Sequence, residues 1–213
     1  MKIGVLGSGV VGQVLADGLL KHGHDVMRGS REPAKLTPWK AHHGAHASAG
    51  TFEEAARFGY LVILAVKGAA AAEVVTACHG ELDGKAVLDA TNPIADSPPE
   101  DGVLRFFTGP NESLMERLQA AAPRACFVKA FSCVGNALMV DPALPGGPPT
   151  MFICGNDESA KRQAAELLSQ LGWGVEDMGR ATAARAIEPL CMLWCIPGFR
   201  QNRWQHAFRL LVR

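Results

Sequence analysis

Apolar residues along the chain recur in two alternating patterns. Mainly apolar runs lie at 1–6, 60–66, 85–90 and 126–131, and the one at 60–66 is continuous, as a strand covered on both faces is. Between them the apolar positions take helical spacing: Val14, Leu15, Gly18 and Leu19, then an Ala-rich stretch at 69–78, then Leu114, Leu118 and Ala121. Strand and helix in regular alternation predict an α/β domain with a parallel sheet.

The boundaries come from local chemistry. Lys21, His22 and Gly23 end the first helix, so a second strand is expected at 24–29 and, after a loop or short helix at 33–44, a short third strand at 45–49. Thr51 and Glu54 form a capping box for a short helix that Gly59 closes, and Gly80 is expected to cap the helix at 69–78. Asn111 is expected to cap the next helix, which Pro123 ends. The Pro- and Gly-rich connection at 141–149 divides a nucleotide-binding core, 1–147, from an extension, 148–213, the two forming one compact unit. That extension reads as a strand at 151–154, a helix carrying Ala160, Ala164, Leu167, Leu168 and Leu171 and capped by Gly172, and a strand at 173–178. The remainder reads as helical, broken at Pro189 and Pro197, with a final stripe of Trp204, Phe208 and Leu211 suited to a core or a dimer seam.

The first strand runs directly into Gly7-Ser8-Gly9-Val10-Val11-Gly12 and then into a helix. In that context the three glycines have distinct uses. Gly7 takes the tight turn, Gly9 lets backbone approach a pyrophosphate, and Gly12 lets the helix pack on the strand. The free N–H groups and dipole of the helix start face the phosphates. At the end of the second strand Ser30, Arg31 and Lys35 offer a hydroxyl, a planar fork and a point charge to a 2′-phosphate, which favours NADP. Glu32 is the competing feature, roughly 20 residues past the turn, where NAD proteins carry an acid. Ala65, Val66 and Lys67 end the fourth strand, and Asn92, Pro93 and Ile94 the fifth, at the sheet edge where ligands bind. Asn92, held extended by Pro93, makes either a wall for ribose or nicotinamide or a plain chain reversal. The long excursion at 96–109, with Phe106 and Phe107, has the length of a substrate lid.

Charge adds an exclusion. The chain has 21 Lys plus Arg and 21 Asp plus Glu, so no net field recruits nucleic acid or an anionic membrane. Its six cysteines show no CxxC pair or zinc spacing and read as buried thiols of a reducing compartment. His42, His43 and His46 lack a nearby acidic or Cys partner in sequence, and no metal is expected there. The first strand leaves no room for a signal peptide and no apolar run reaches the ~20 residues of a membrane span, so a cytoplasmic protein is expected.

These landmarks together resemble the family of F420-dependent NADP reductases. The resemblance rests on the glycine turn, Gly29-Ser30-Arg31 with Lys35, Thr91-Asn92-Pro93-Ile94, Lys129-Ala130-Phe131 with Val134-Gly135, and Phe152-Ile153-Cys154-Gly155-Asn156-Asp157. It implies a Rossmann-type, doubly wound, mostly parallel sheet of eight strands with a small helical C-terminal part, usually in a homodimer. It also implies NADP(H), with Ser8 near the pyrophosphate, Ser30, Arg31 and Lys35 on the 2′-phosphate, and Cys133 and Gly135 beside the nicotinamide. Ser132 departs from the Asn that often follows Lys-Ala-Phe in the family. The implied reaction is hydride transfer between NADPH and a flavin-like acceptor, F420 by resemblance or FMN or FAD. That chemistry needs orientation and water exclusion more than acid–base help, and no His-Asp or Tyr-Lys pair of an alcohol dehydrogenase stands out. A reductase of small imines or carbonyls and an NADPH-binding redox sensor remain as alternatives.

Overall fold

The computed structural model describes residues 1–212. The sheet is built from β1 (Lys2–Leu6), β2 (Asp25–Gly29), β3 (Ala47–Gly50), β4 (Leu61–Leu64), β5 (Ala86–Asp89), β6 (Cys126–Lys129), β7 (Thr150–Gly155) and β8 (Gly174–Asp177). The helices are α1 (Val10–Lys21), α2 (Thr37–His43), α3 (Phe52–Phe58), α4 (Gly68–Ala77), α5 (Leu114–Ala121), α6 (Glu158–Gln170), α7 (Ala184–Ile187) and α8 (Leu190–Gln201). The eight strands lie in the order β3-β2-β1-β4-β5-β6-β7-β8. Six are parallel, β7 runs antiparallel to β6, and β8 is parallel to β7. This is the doubly wound Rossmann-type fold. The chain winds outward from β1 to β3, then crosses back to β4 and winds the other way. The crevice beyond the ends of β1 and β4 is therefore the topological switch point.

The apolar strands serve two cores at once. Ile3, Val5, Leu61 and Ile63 pack with Leu15 and Leu19 of α1 and Leu167 and Leu168 of α6. Leu6, Val62 and Leu64 pack on the other face with Phe52 of α3, Val74 and Val75 of α4, and Leu118 of α5. A period of two splits each run between the faces, and this is why the runs are mainly apolar in sequence. Each such side chain withdrawn from water stabilises the fold by about 1.5–3 kcal/mol.

Several boundaries differ from the sequence expectation. Gly80 sits within a separate 3-10 turn, and α4 ends earlier, with the Cys78 N–H bonded back to Val74 and Thr76. Asn111 is not a cap. Ser113 is, in a capping box with Glu116 that satisfies both ends reciprocally. Gly59 follows α3 with extended backbone rather than a left-handed cap. It must be glycine for another reason, since a Cβ there would lie 2.5 Å from the Gly4 nitrogen.

The C-terminal stretch departs most. Pro197 lies inside α8 without ending it, and left-handed Asn202 (φ 51°) terminates the helix. Residues 203–212 are not helical. Their backbone is drawn to the start of β7, where Thr150 N–H donates to Phe208 O (2.9 Å) and Leu210 N–H to Thr150 Oγ1 (3.0 Å). Phe208 packs on the core, but Leu211 is 80% exposed, so the expected stripe does not form.

Candidate dinucleotide site

The glycine turn lies at the switch point. Gly7 N–H bonds Gly29 O at 3.1 Å, fixing the end of β1 to the end of β2. Gly9 occupies the N-cap of α1 with extended backbone, no side-chain cap and no acid in the first turn, so the first N–H groups remain available to an anion. A Cβ on Gly7 would stand 2.3 Å from Ala65 O and one on Gly12 2.5 Å from Gly7 O, whereas one on Gly9 would meet nothing within 4 Å. The outer two glycines thus serve packing, and Gly9 is the open floor on which a ligand can rest.

A cleft of about 310 Å³ opens over that floor. Ser8, Ser30, Arg31, Lys35, Ala65, Val66 and Lys67 line it, together with Phe52 and Glu73. Ser30 is buried, and its Oγ accepts from Glu32 N–H at 3.1 Å. Glu32 lies beyond the strand end and its carboxylate pairs with Lys35 at 2.6 Å, with both side chains about two-thirds exposed. An exposed pair of this kind contributes under ~1 kcal/mol and yields readily to a competing phosphate. Arg31 is exposed at the same mouth.

Of the residues expected at the site, Ser8, Gly9, Ser30, Arg31, Lys35, Ala65, Val66 and Lys67 line this cleft, while Gly7, Val10, Val11 and Gly12 belong to the same turn but not to the lining, Val10 being 61% exposed at the helix start. Asn92, Pro93, Ile94, Cys133 and Gly135 lie on the same sheet edge but outside the cleft lining. The two loops touch: a Cβ on Gly68 would lie 2.0 Å from Asn92 O. Cys133 is buried with its thiol toward Thr150 O at 3.7 Å, and burial pushes its pKa up to about 11. Gly135 carries the ring of Trp194, 2.3 Å from where a Cβ would be. Phe131 turns the chain out of β6 through the left-handed region (φ 60°), a conformation that costs a non-glycine residue about 1–3 kcal/mol.

Beneath the edge lies a buried charge network that sequence reasoning missed. Lys129 Nζ pairs with Asp89 (2.9 Å) and Glu188 (3.1 Å) and donates to Thr91 O. Asp89 Oδ1 accepts from Thr91 N–H (2.9 Å) and Thr91 Oγ1 (2.6 Å), while Glu188 accepts from the first N–H groups of α5. Burial alone would lower the Lys129 pKa, but the two carboxylates outweigh it and hold it above the ordinary value. The network fixes the loop that bears Asn92. The Asn92 Oδ1 and Ser132 Oγ atoms are buried without hydrogen-bond partners. The missed signal was a charged residue ending each of two apolar strands. Arg28, inside β2, was passed over in the same way.

Of the three clustered histidines, His43 pairs with Asp17 at 3.1 Å and His46 with Asp25 at 2.7 Å. Among the described residues no group of three His, Cys, Asp or Glu side chains is placed to hold a metal ion, and no helix is long and apolar enough to cross a membrane.

A doubly wound sheet with an uncapped helix start and a glycine floor at its switch point defines a protein of the Rossmann dinucleotide-binding class. Residues 2–93 match the family described as NADP oxidoreductase coenzyme F420-dependent. The F420-dependent NADP reductase of Methanocaldococcus jannaschii is 31% identical over 204 residues, covering 91% of this chain and 90% of that protein. The chain belongs to this family, whose members and structural neighbours are NADP-dependent oxidoreductases. The crystal structure of a candidate F420-dependent NADP reductase from Arthrobacter superposes with a TM-score of 0.91 at 33% identity, covering 100% of both chains. Metalloreductase STEAP3 of Rattus norvegicus is 30% identical over 203 residues, which is 92% of this chain and 38% of that longer protein.

Proposed function

We propose that the protein transfers hydride between NADPH and a flavin-like acceptor, F420 in the first instance. The observation that carries this is the single cleft in which the open glycine floor meets Ser30, Arg31 and Lys35, in a chain of this family. The residues present fit the cofactor. Gly9 leaves room for its diphosphate, Arg31 and Lys35 supply cations for the 2′-phosphate, and Asn92 and Ser132 hold unpartnered polar atoms further along the edge. When bound, NADPH supplies the hydride. The chain's part is to orient it: the N–H groups of α1 hold the diphosphate, Ser30, Arg31 and Lys35 select the phosphorylated ribose, and the Asp89–Lys129 pair holds the Asn92 loop rigid.

The test is NADPH oxidation with F420, FMN, FAD and no acceptor, with NADH in parallel. Turnover specific to NADPH and fastest with F420 is expected, and binding of NADPH without oxidation by any acceptor would sink the proposal. The exposed Leu193 and Phe199 on α8 support a homodimer through the C-terminal helix, and light scattering measures this directly as mass. Residues 1–147 and 148–213 share the core containing Ile3, Val128, Met151 and Trp173, which supports their unfolding as one unit.

A further inference from the structure

Arg28 is one of the largest fully buried side chains of the protein, 1% exposed, and it lies behind the glycine turn. Its Nη2 donates to both Gly7 O and Gly9 O at 3.4 Å. The guanidinium is stacked 4.9 Å from the Trp39 ring centre, and its Nε has no partner. Trp39 is itself fixed, donating from Nε1 to Asp17 Oδ1 at 2.6 Å. Asp17 is the acid that acts on Arg28 at longer range, and its oxygen is shared between Trp39 and His43. Arg28 therefore forms no ion pair among the described residues, and burial lowers its pKa.

A buried, unpaired cation destabilises a fold unless something compensates it. The two carbonyls that Arg28 holds belong to the same turn whose Ser8 and Gly9 line the cleft. Drawing the Gly7 and Gly9 carbonyls inward also turns the adjoining N–H groups outward, toward the cleft. We propose that Arg28 is the positioning residue of the glycine turn: it sets the orientation of the turn's peptide groups and supplies, from behind, the positive charge that the cofactor diphosphate neutralises. The proposal rests on the dinucleotide reading of the cleft. It assigns diphosphate affinity to a residue distinct from Arg31, which acts on the 2′-phosphate.

Three ligands separate these roles: NADPH, NADH, and adenosine 2′-phosphate, which lacks the diphosphate. Arg28→Met is expected to weaken both dinucleotides about tenfold, equivalent to about 1.4 kcal/mol, and to leave adenosine 2′-phosphate unchanged. Arg28→Lys, which keeps the charge and loses the fork, is expected to weaken the dinucleotides about threefold with the same selectivity. Calorimetry reads the dinucleotides and NMR titration the nucleotide. Unchanged dinucleotide affinity, or equal weakening of all three ligands, overturns the proposal. If the Met variant does not fold, the Lys variant decides by the same criterion. A wild-type protein that binds neither dinucleotide would instead overturn the reading of the cleft.

Discussion

Asp89 and Lys129 face each other across β5 and β6 as register partners, and their side chains form an ion pair of 2.9 Å with no exposure to solvent. The pair ties the sheet to the Asn92 loop through Thr91 and, through Glu188, to α5 and the C-terminal helices. One lysine thus joins the putting-in-place of the ligand edge to the docking of the last third of the chain.

Removing one partner of a buried pair leaves the other charge uncompensated. Lys129→Met should therefore destabilise the protein by about 3–5 kcal/mol, seen as a lower denaturant midpoint. The pH dependence follows from the raised Lys129 pKa. A group whose folded pKa is raised contributes stability that is fully present below its unfolded value, about 10.4, and is lost as pH rises through the folded value. Wild-type stability should fall at pH above about 10.4, and this component of the fall should be missing in Lys129→Met.

Arg31→Ala should weaken NADPH binding about tenfold, for the loss of one charge-assisted contact of about 1.5 kcal/mol, and leave NADH nearly unchanged. Equal loss for both cofactors in a titration would remove the 2′-phosphate assignment.

The glycines of the turn should separate into two classes. A Cβ on Gly7 would meet Ala65 O at 2.3 Å, so Gly7→Ala should lower the melting temperature of the ligand-free protein. Gly9 has open space, so Gly9→Ala should melt like wild type and lose NADPH affinity. Thermal melts with and without NADPH read both effects.

Ser113→Ala removes the capping box of α5 and should cost about 1 kcal/mol of unfolding free energy, whereas Asn111→Ala, outside the helix and exposed, should change it by less than about 0.5 kcal/mol. Denaturant unfolding of the two variants distinguishes the cap from its neighbour.

Much of the candidate site was legible because its signals are local. Gly7, Gly9 and Gly12 are separated by fixed spacings that a strand-to-helix turn imposes, and Ser30, Arg31 and Lys35 follow one strand end, so their order in sequence is their order in space. Arg28 and Lys129 were not legible in the same way. A charged residue within an apolar run announces burial but not its partner, and the partners here lie 21 residues away for Gly7 and 40 for Asp89. The tail was misread for a related reason. Its spacing of Trp204, Phe208 and Leu211 suits a helix, but the free N–H and hydroxyl of Thr150 offered bonds that a helix spacing takes no account of.

The sequence by itself determined the alternation of strands and helices, the glycine turn and the basic group beside it, because backbone sterics, periodic burial and helix-end chemistry act within a few residues. Only the tertiary structure decided that β7 reverses against β6, that the turn is backed by Arg28, and that Asp89, Lys129 and Glu188 meet beneath the Asn92 loop. Those relationships depend on which strands lie side by side, and charges far apart in the chain become partners only when packing excludes the water that would otherwise separate them.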